Sequence, residues 1–192
     1  MKLLAIAGSP RRGGNTDLLL EQFVKGAAEA GAEVKTLVVC SLKIEGCRNC
    51  DACLVKGQCK IQDDMQMVYQ ELEAADRLVM ASPLQFMSVS AQLKALIDRC
   101  QALWARKYIL KIPPLGYAKE RKGFFISVGG RRTIPNLFDA ELATIKTLYK
   151  TLNITYSGEL LIPGIDAQND ILKYPEALQK AFEEGRQFIT NP

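Results

Sequence analysis

The residues best suited to chemistry in this chain are four cysteines packed into thirteen positions, Cys47-Arg-Asn-Cys50-Asp-Ala-Cys53-Leu-Val-Lys-Gly-Gln-Cys59. Two successive Cys-x-x-Cys steps followed by a fourth cysteine are a way for one short loop to wrap four thiolates around an iron–sulfur cubane. Gly46 and Gly57 allow the bends, and Arg48, Lys56 and Lys60 offset negative charge. Four thiols also satisfy a structural zinc, although zinc ligands come more often as two separated pairs. A second chemical signal lies near the start, in Gly8-Ser9-Pro10-Arg11-Arg12-Gly13-Gly14-Asn15-Thr16. Glycines, two hydroxyls and an amide ahead of a helix suit a bound phosphate, because the first backbone N–H groups of the helix point at the anion and its dipole favours negative charge. The loop lacks the Gly-Lys-Ser/Thr ending of a nucleotidase P-loop and the Gly-x-Gly-x-x-Gly of a dinucleotide site, so a phosphomonoester is its best occupant. A Gly-rich turn with a helix cap and no ligand is the plainer alternative.

Elements must hold these loops in place. Lys2 to Ala7 reads as a buried parallel strand, followed by a helix capped by Asn15 or Thr16 and stopped at Gly31. Val34 to Val39, Arg77 to Ala81, Phe124 to Val128 and Ile154 to Leu161 read as four further strands. Met65 to Ala75, Ala91 to Arg106, Leu137 to Leu152 and Pro175 to Ile189 read as helices. Five strands alternating with helices predict an α/β fold, a flavodoxin-like doubly wound parallel sheet of order 2-1-3-4-5. It forms one domain over residues 1–192, with the cysteine-rich insert at about 40–64. In such a sheet the ligand crevice lies outside the carboxyl ends of the strands, at the switch in winding direction. Residues 109–122, with Pro113-Pro114 and Gly116, form the other long irregular segment, a flap or an oligomer contact.

Composition narrows the function classes. Among 192 residues, 48% are hydrophobic and 24% charged, as in ordinary globular domains. The net charge of +4 is spread thinly, which gives no footprint for nucleic acid. The apolar start breaks at Gly8-Ser9-Pro10, so neither a signal peptide nor a membrane span is expected. The cysteines are then expected to stay reduced in a cytoplasmic protein. With no histidine in the chain, mechanisms that need a His base or a His-ligated metal fall away. Cys40 and Cys100 fall in strand and helix surroundings and read as small buried hydrophobes.

Three segments in register, Gly8-Ser-Pro-Arg-x-x-Gly-Asn-Thr16, Ser82-Pro-Leu-x-Phe86 and Lys94-Ala-Leu-Ile-Asp-Arg99, resemble the NADPH-dependent FMN reductase and iron–sulfur flavoprotein family. The resemblance is strongest over residues 1–106; beyond, only the order of elements is followed. It implies FMN, with its phosphate on Ser9, Arg11, Asn15 and Thr16. The isoalloxazine ring would lie over Pro83, Leu84, Gln85 and Phe86, with Ser127, Gly129 and Gly130 approaching it. Many members carry Tyr where this chain has Gln85. It also implies a [4Fe–4S] cluster on Cys47, Cys50, Cys53 and Cys59 close to the flavin, with NAD(P)H as co-substrate. The expected partners are a small electron acceptor, ferredoxin, and a second or fourth copy of the chain. Simple reductases of the family keep a similar cysteine stretch, followed as here by Asp63-Asp64-Met65, without an assured cluster. An electron carrier that barely reacts with NAD(P)H is the rival function. Asp98-Arg99 reads as an ion pair or a loop anchor.

Overall fold

The computed structural model describes residues 1–117, 119–132 and 134–191. Five parallel strands form one sheet in the order β2-β1-β3-β4-β5: β1 Lys2–Ala7, β2 Glu33–Val38, β3 Arg77–Pro83, β4 Lys122–Gly129 and β5 Thr155–Pro163. The flavodoxin-like order expected above is observed. The three central strands are buried on both faces, so they read as continuous apolar runs rather than alternations.

Helices cover each face. On one side α1 (Asn15–Glu29) and α7 (Pro175–Thr190) pack over Leu3, Ala5, Val79, Phe124 and Ile126. The opposite face buries Leu4, Ile6, Leu78, Met80 and Phe125 under α3 (Met65–Ala74), α4 (Ala91–Arg99), α5 (Gln101–Tyr108) and α6 (Asp139–Leu152). The insert between β2 and α3 contains a 3-10 turn at Val39–Ser41 and a five-residue helix, α2 (Ala52–Lys56), which the sequence pattern does not announce.

Two expectations need correction. The helix expected over Ala91 to Arg106 is divided at Cys100, whose backbone leaves helical values as Arg99 turns its side chain into the protein. The first helix is capped by Gly14, not by the side chain of Asn15 or Thr16. The Asn15 amide is drawn elsewhere: Nδ2 donates to the Ala167 carbonyl at 2.8 Å, and Oδ1 accepts from the Ile171 N–H at 3.2 Å.

The irregular segment before β4 lies at the amino-terminal edge of the sheet, away from the crevice. Arg121, buried, donates to the carbonyls of Glu73, Ala75, Leu115 and Tyr117, and so ties this segment to the end of α3. That placement rules out a flap over the strand ends. Residues 109–117 nevertheless expose Ile109, Ile112 and Tyr117.

Candidate active site at the carboxyl ends of the strands

Three loops meet where β1, β3 and β4 end. The β1 loop is held to β3 by the Gly8 N–H donating to the Ala81 carbonyl at 2.8 Å; a Cβ at Gly8 would stand 2.8 Å from that oxygen. Ser90, fully buried at the start of α4, joins the same parts. Its hydroxyl donates to the Gly8 carbonyl and caps α4 by accepting from Leu93, while its N–H donates to Ser82 Oγ at 2.9 Å.

Within the first loop, Ser9 Oγ donates to the Arg11 carbonyl at 2.9 Å and accepts from the Arg11 N–H at 3.1 Å, so this hydroxyl shapes the turn. Asp17 shapes it from below, accepting from the Gly13 N–H at 3.0 Å and pairing with Arg12 at 3.3 Å. Burial raises the Asp17 pKa, opposed by the Gly13 bond and the Arg12 charge. The Thr16 hydroxyl has no protein partner among the described residues, and Arg11 is exposed. The start of α1, capped without a side chain, keeps its first N–H groups open.

A crevice of about 250 Å³ joins these groups to the ends of β3, β4 and β5. Of the residues expected to bind the cofactor, Ser9, Arg11, Asn15, Thr16, Pro83, Leu84, Gln85 and Gly130 line it. Three others stand differently. Ser127 is buried, and its hydroxyl donates to Glu141 Oε2 at 2.7 Å, on the helix side of β4. Gly129 faces Leu137 and Phe138, and its carbonyl accepts from the N–H groups of Gly164 and Ile165. Phe86 is fully exposed at the tip of a tight turn closed by paired bonds between Gln85 and Ser88. Both residues of the tip, Phe86 (φ 48°) and Met87 (φ 61°), lie in the left-handed region, where Asn and Gly are the favoured residues. A strained turn that presents a bare aromatic ring beside a crevice is suited to a planar ligand.

The fifth strand's loop was missed by sequence reasoning: Ile165 and Asp166 line the crevice, and a Cβ on Gly130 would come within 3.0 Å of the Asp166 carboxylate. The signal was present, since Pro163-Gly164 ends a strand whose carboxyl end must share this edge. Glu141 was missed as well. It is fully buried, its Oε1 has no partner among the described residues, and burial pushes its pKa up to about 8 against the pull of the Ser127 hydroxyl.

The cysteine insert forms a second site, which shares no lining residue with the crevice. Cys47, Cys50, Cys53 and Cys59 line one pocket with Lys60, Arg99 and Ala102. Burial raises the Cys53 pKa, and the charges of Cys59, Cys47 and Cys50 raise it further, so each thiolate makes the next costlier until a cationic centre is present. The Ala52 N–H lowers that of the exposed Cys50, with Lys60 adding to the effect. Among the described residues no three His, Cys, Asp or Glu side chains converge as a single ion requires. Zinc–sulfur bonds of about 2.3 Å would hold the four sulfurs within about 4 Å of one another.

Arg99 braces this insert with a bidentate pair to Asp63, at 2.6 and 3.0 Å. Burial alone would raise the Asp63 carboxyl; Arg99 and the N–H groups of Glu45 and Met65 outweigh it and hold the pKa below its ordinary value. Arg99 is therefore the loop anchor expected from the sequence, while Asp98 pairs instead with Lys94 at the surface. Cys100 is buried, its thiol pushed up to about 12 by burial; Cys40 is only half-buried.

Residues 1–137 match the model of the family described as NADPH-dependent FMN reductase. The chain belongs to that family. It is 40% identical over 130 residues to an iron-sulfur flavoprotein of Archaeoglobus fulgidus, covering 68% of this chain and 63% of the relative. To an iron-sulfur flavoprotein of Methanosarcina thermophila it is 35% identical over 132 residues, covering 69% of this chain and 65% of the relative. The chain thus spans just under two thirds of the length of these relatives. Its fold resembles that of an NAD(P)H:quinone oxidoreductase from Methanothermobacter marburgensis (TM-score 0.76, 15% identity), over 97% of this chain and 95% of the other. Among the described residues no helix is long and apolar enough to cross a membrane.

Proposed function

We propose that this protein is an FMN-dependent NAD(P)H oxidoreductase of the iron–sulfur flavoprotein type, passing electrons between NAD(P)H or ferredoxin and a small acceptor. The observation that carries the reading is the convergence of eight expected cofactor residues on one crevice, at the strand edge where a doubly wound sheet binds its ligand. The open N–H groups of α1, the Thr16 hydroxyl and Arg11 suit the phosphate of FMN. At about 250 Å³ the crevice is smaller than a typical site for a whole cofactor-sized ligand, so it would enclose the phosphate end. The isoalloxazine would then lie at the mouth, over Pro83 to Phe86, with Gly130 letting backbone and Asp166 come close. Bound there, FMN supplies the hydride and electron chemistry. The chain's own part is to hold the ring at the mouth, keep one face open, and place the backbone of β4 beside it.

Four thiols around one pocket, an all-sulfur donor set, suit a [4Fe–4S] cluster. The likeness to two iron-sulfur flavoproteins favours it. Exposure of Cys47 and Cys50 favours the second reading, a simple flavin reductase with free thiols. Purification with added FMN, followed by anaerobic iron and sulfide analysis, tests both. Bound FMN with about four irons per chain, lost in Cys50→Ser, is the expected result. FMN without iron leaves the second reading, and a protein that stays colourless with FMN removes both.

A further inference from the structure

Arg99 is 1% exposed at the end of α4. The bonds of its side chain all run to the segment that carries the cysteines. Nη1 donates to the Glu45 carbonyl at 2.9 Å and Asp63 Oδ2 at 2.6 Å, and Nη2 to Asp63 Oδ1 at 3.0 Å and the Ile61 carbonyl at 3.4 Å. Nε is left without a partner among the described residues. A buried N–H of a charged group without an acceptor is costly and uncommon, and beside Arg99 the pocket offers thiol sulfurs as acceptors. Arg99 and Cys59 line the same thiol pocket, whereas Asp63 does not.

We propose that Arg99 is a positioning residue for the thiolate centre, donating an N–H hydrogen bond to the Cys59 sulfur and thereby raising the reduction potential of the cluster held there. The proposal rests on the reading of Cys47, Cys50, Cys53 and Cys59 as cluster ligands. Reduction adds one electron and one negative charge to the centre and breaks no bond. A fixed cation and an N–H···S bond from a buried position stabilise the more negative form, and hydrogen bonds to the sulfurs are among the terms that set such potentials. Lys60 and Arg48 also line the pocket, but they are not buried, so water and salt screen them.

The test is a potentiometric titration with dithionite, followed by electron paramagnetic resonance, on the full chain reconstituted anaerobically with iron and sulfide. Wild type is compared with Arg99→Gln and Arg99→Lys after iron and sulfide are counted in each. Gln removes charge and bond; at a fixed poise the ratio of reduced to oxidised cluster should fall at least tenfold, which is 59 mV for a one-electron couple. Lys keeps the charge without the Nε bond, and a fall of about threefold is expected. A purely structural Arg99 would lower the iron content and leave the potential of the loaded fraction unchanged; that result in either variant overturns the proposal. Should the Gln variant fail to fold, the Lys variant decides alone. Wild type that takes up no iron and sulfide overturns the cluster reading along with this one, whereas a loaded wild type with indifferent variants overturns only the role of Arg99.

Discussion

A carboxyl group with one hydrogen-bond partner in a dry interior keeps its proton long after its unfolded counterpart has lost it. Glu141 is such a group, with its pKa raised from 4.5 to about 8 by burial. Between those values the folded state binds the extra proton. The stability that this group confers is therefore complete below pH 4.5, declines as pH rises, and is gone above about 8. Urea unfolding of the wild type should lose on the order of a few kcal/mol between pH 5 and pH 9 from this group. Glu141→Gln should flatten that decline, and an equal loss in both proteins would show that Glu141 does not titrate in this range. At the crevice, Ser9→Ala and Thr16→Val should each weaken FMN by on the order of 1–3 kcal/mol, measured by fluorescence titration. Their routes differ: Ser9 shapes the loop, whereas the Thr16 hydroxyl has no partner among the described residues. Asn15→Ala should lower the melting temperature as well, because its amide ties α1 to the loop after β5. Unchanged melting in that variant would show that the tether contributes little.

At the scale of elements, α1 and α7 cross with their backbones in contact. A Cβ on Gly26 would stand 2.0 Å from the Phe182 carbonyl oxygen, and one on Gly185 would stand 1.9 Å from that of Phe23. The close approach lets Phe23, Phe124 and Phe188 form one aromatic cluster, with centroids 4.9 to 5.8 Å apart. Alanine improves helix propensity by about 1 kcal/mol over glycine, yet here it must force the helices apart, and overpacking of this kind costs about 1–3 kcal/mol or more. Gly185→Ala should therefore destabilise the protein in urea by about 1–2 kcal/mol or more, the opposite of what propensity alone predicts. A stabilised variant would mean that the helices separate freely.

Taken as a whole, the molecule lines its crevice and its thiol pocket with different residues, and one group of exposed apolar side chains stands at a third place. Ile109, Ile112 and Tyr117 stand on the segment anchored by Arg121. We propose that this face joins copies of the chain into a homodimer or homotetramer. Light scattering on the FMN-loaded protein should give a mass of at least two chains, shifted toward one by Ile109→Lys with Ile112→Lys. A loaded monomer would contradict the proposal.

The order of elements and the sheet topology were legible in the sequence, because buried parallel strands such as Leu78 to Ala81 and helices with one apolar stripe are local patterns repeated along the chain. The phosphate loop and the cysteine run were legible for the same reason: each is contiguous. What only the tertiary structure decided lies in pairs of residues far apart in sequence. Ser127 reads as a residue of the crevice until Glu141 claims its hydroxyl, and Asn15 reads as a helix cap until the Ala167 carbonyl and the Ile171 N–H, more than 150 positions away, take its amide. Ile165 and Asp166 join the crevice because β5 pairs with β4, and Arg99 reaches the cysteine insert because α4 ends beside a loop that left the sheet one strand earlier. Periodicity records which face of an element is buried, but not which distant group meets it there. A buried polar atom must find its partner wherever the fold brings one.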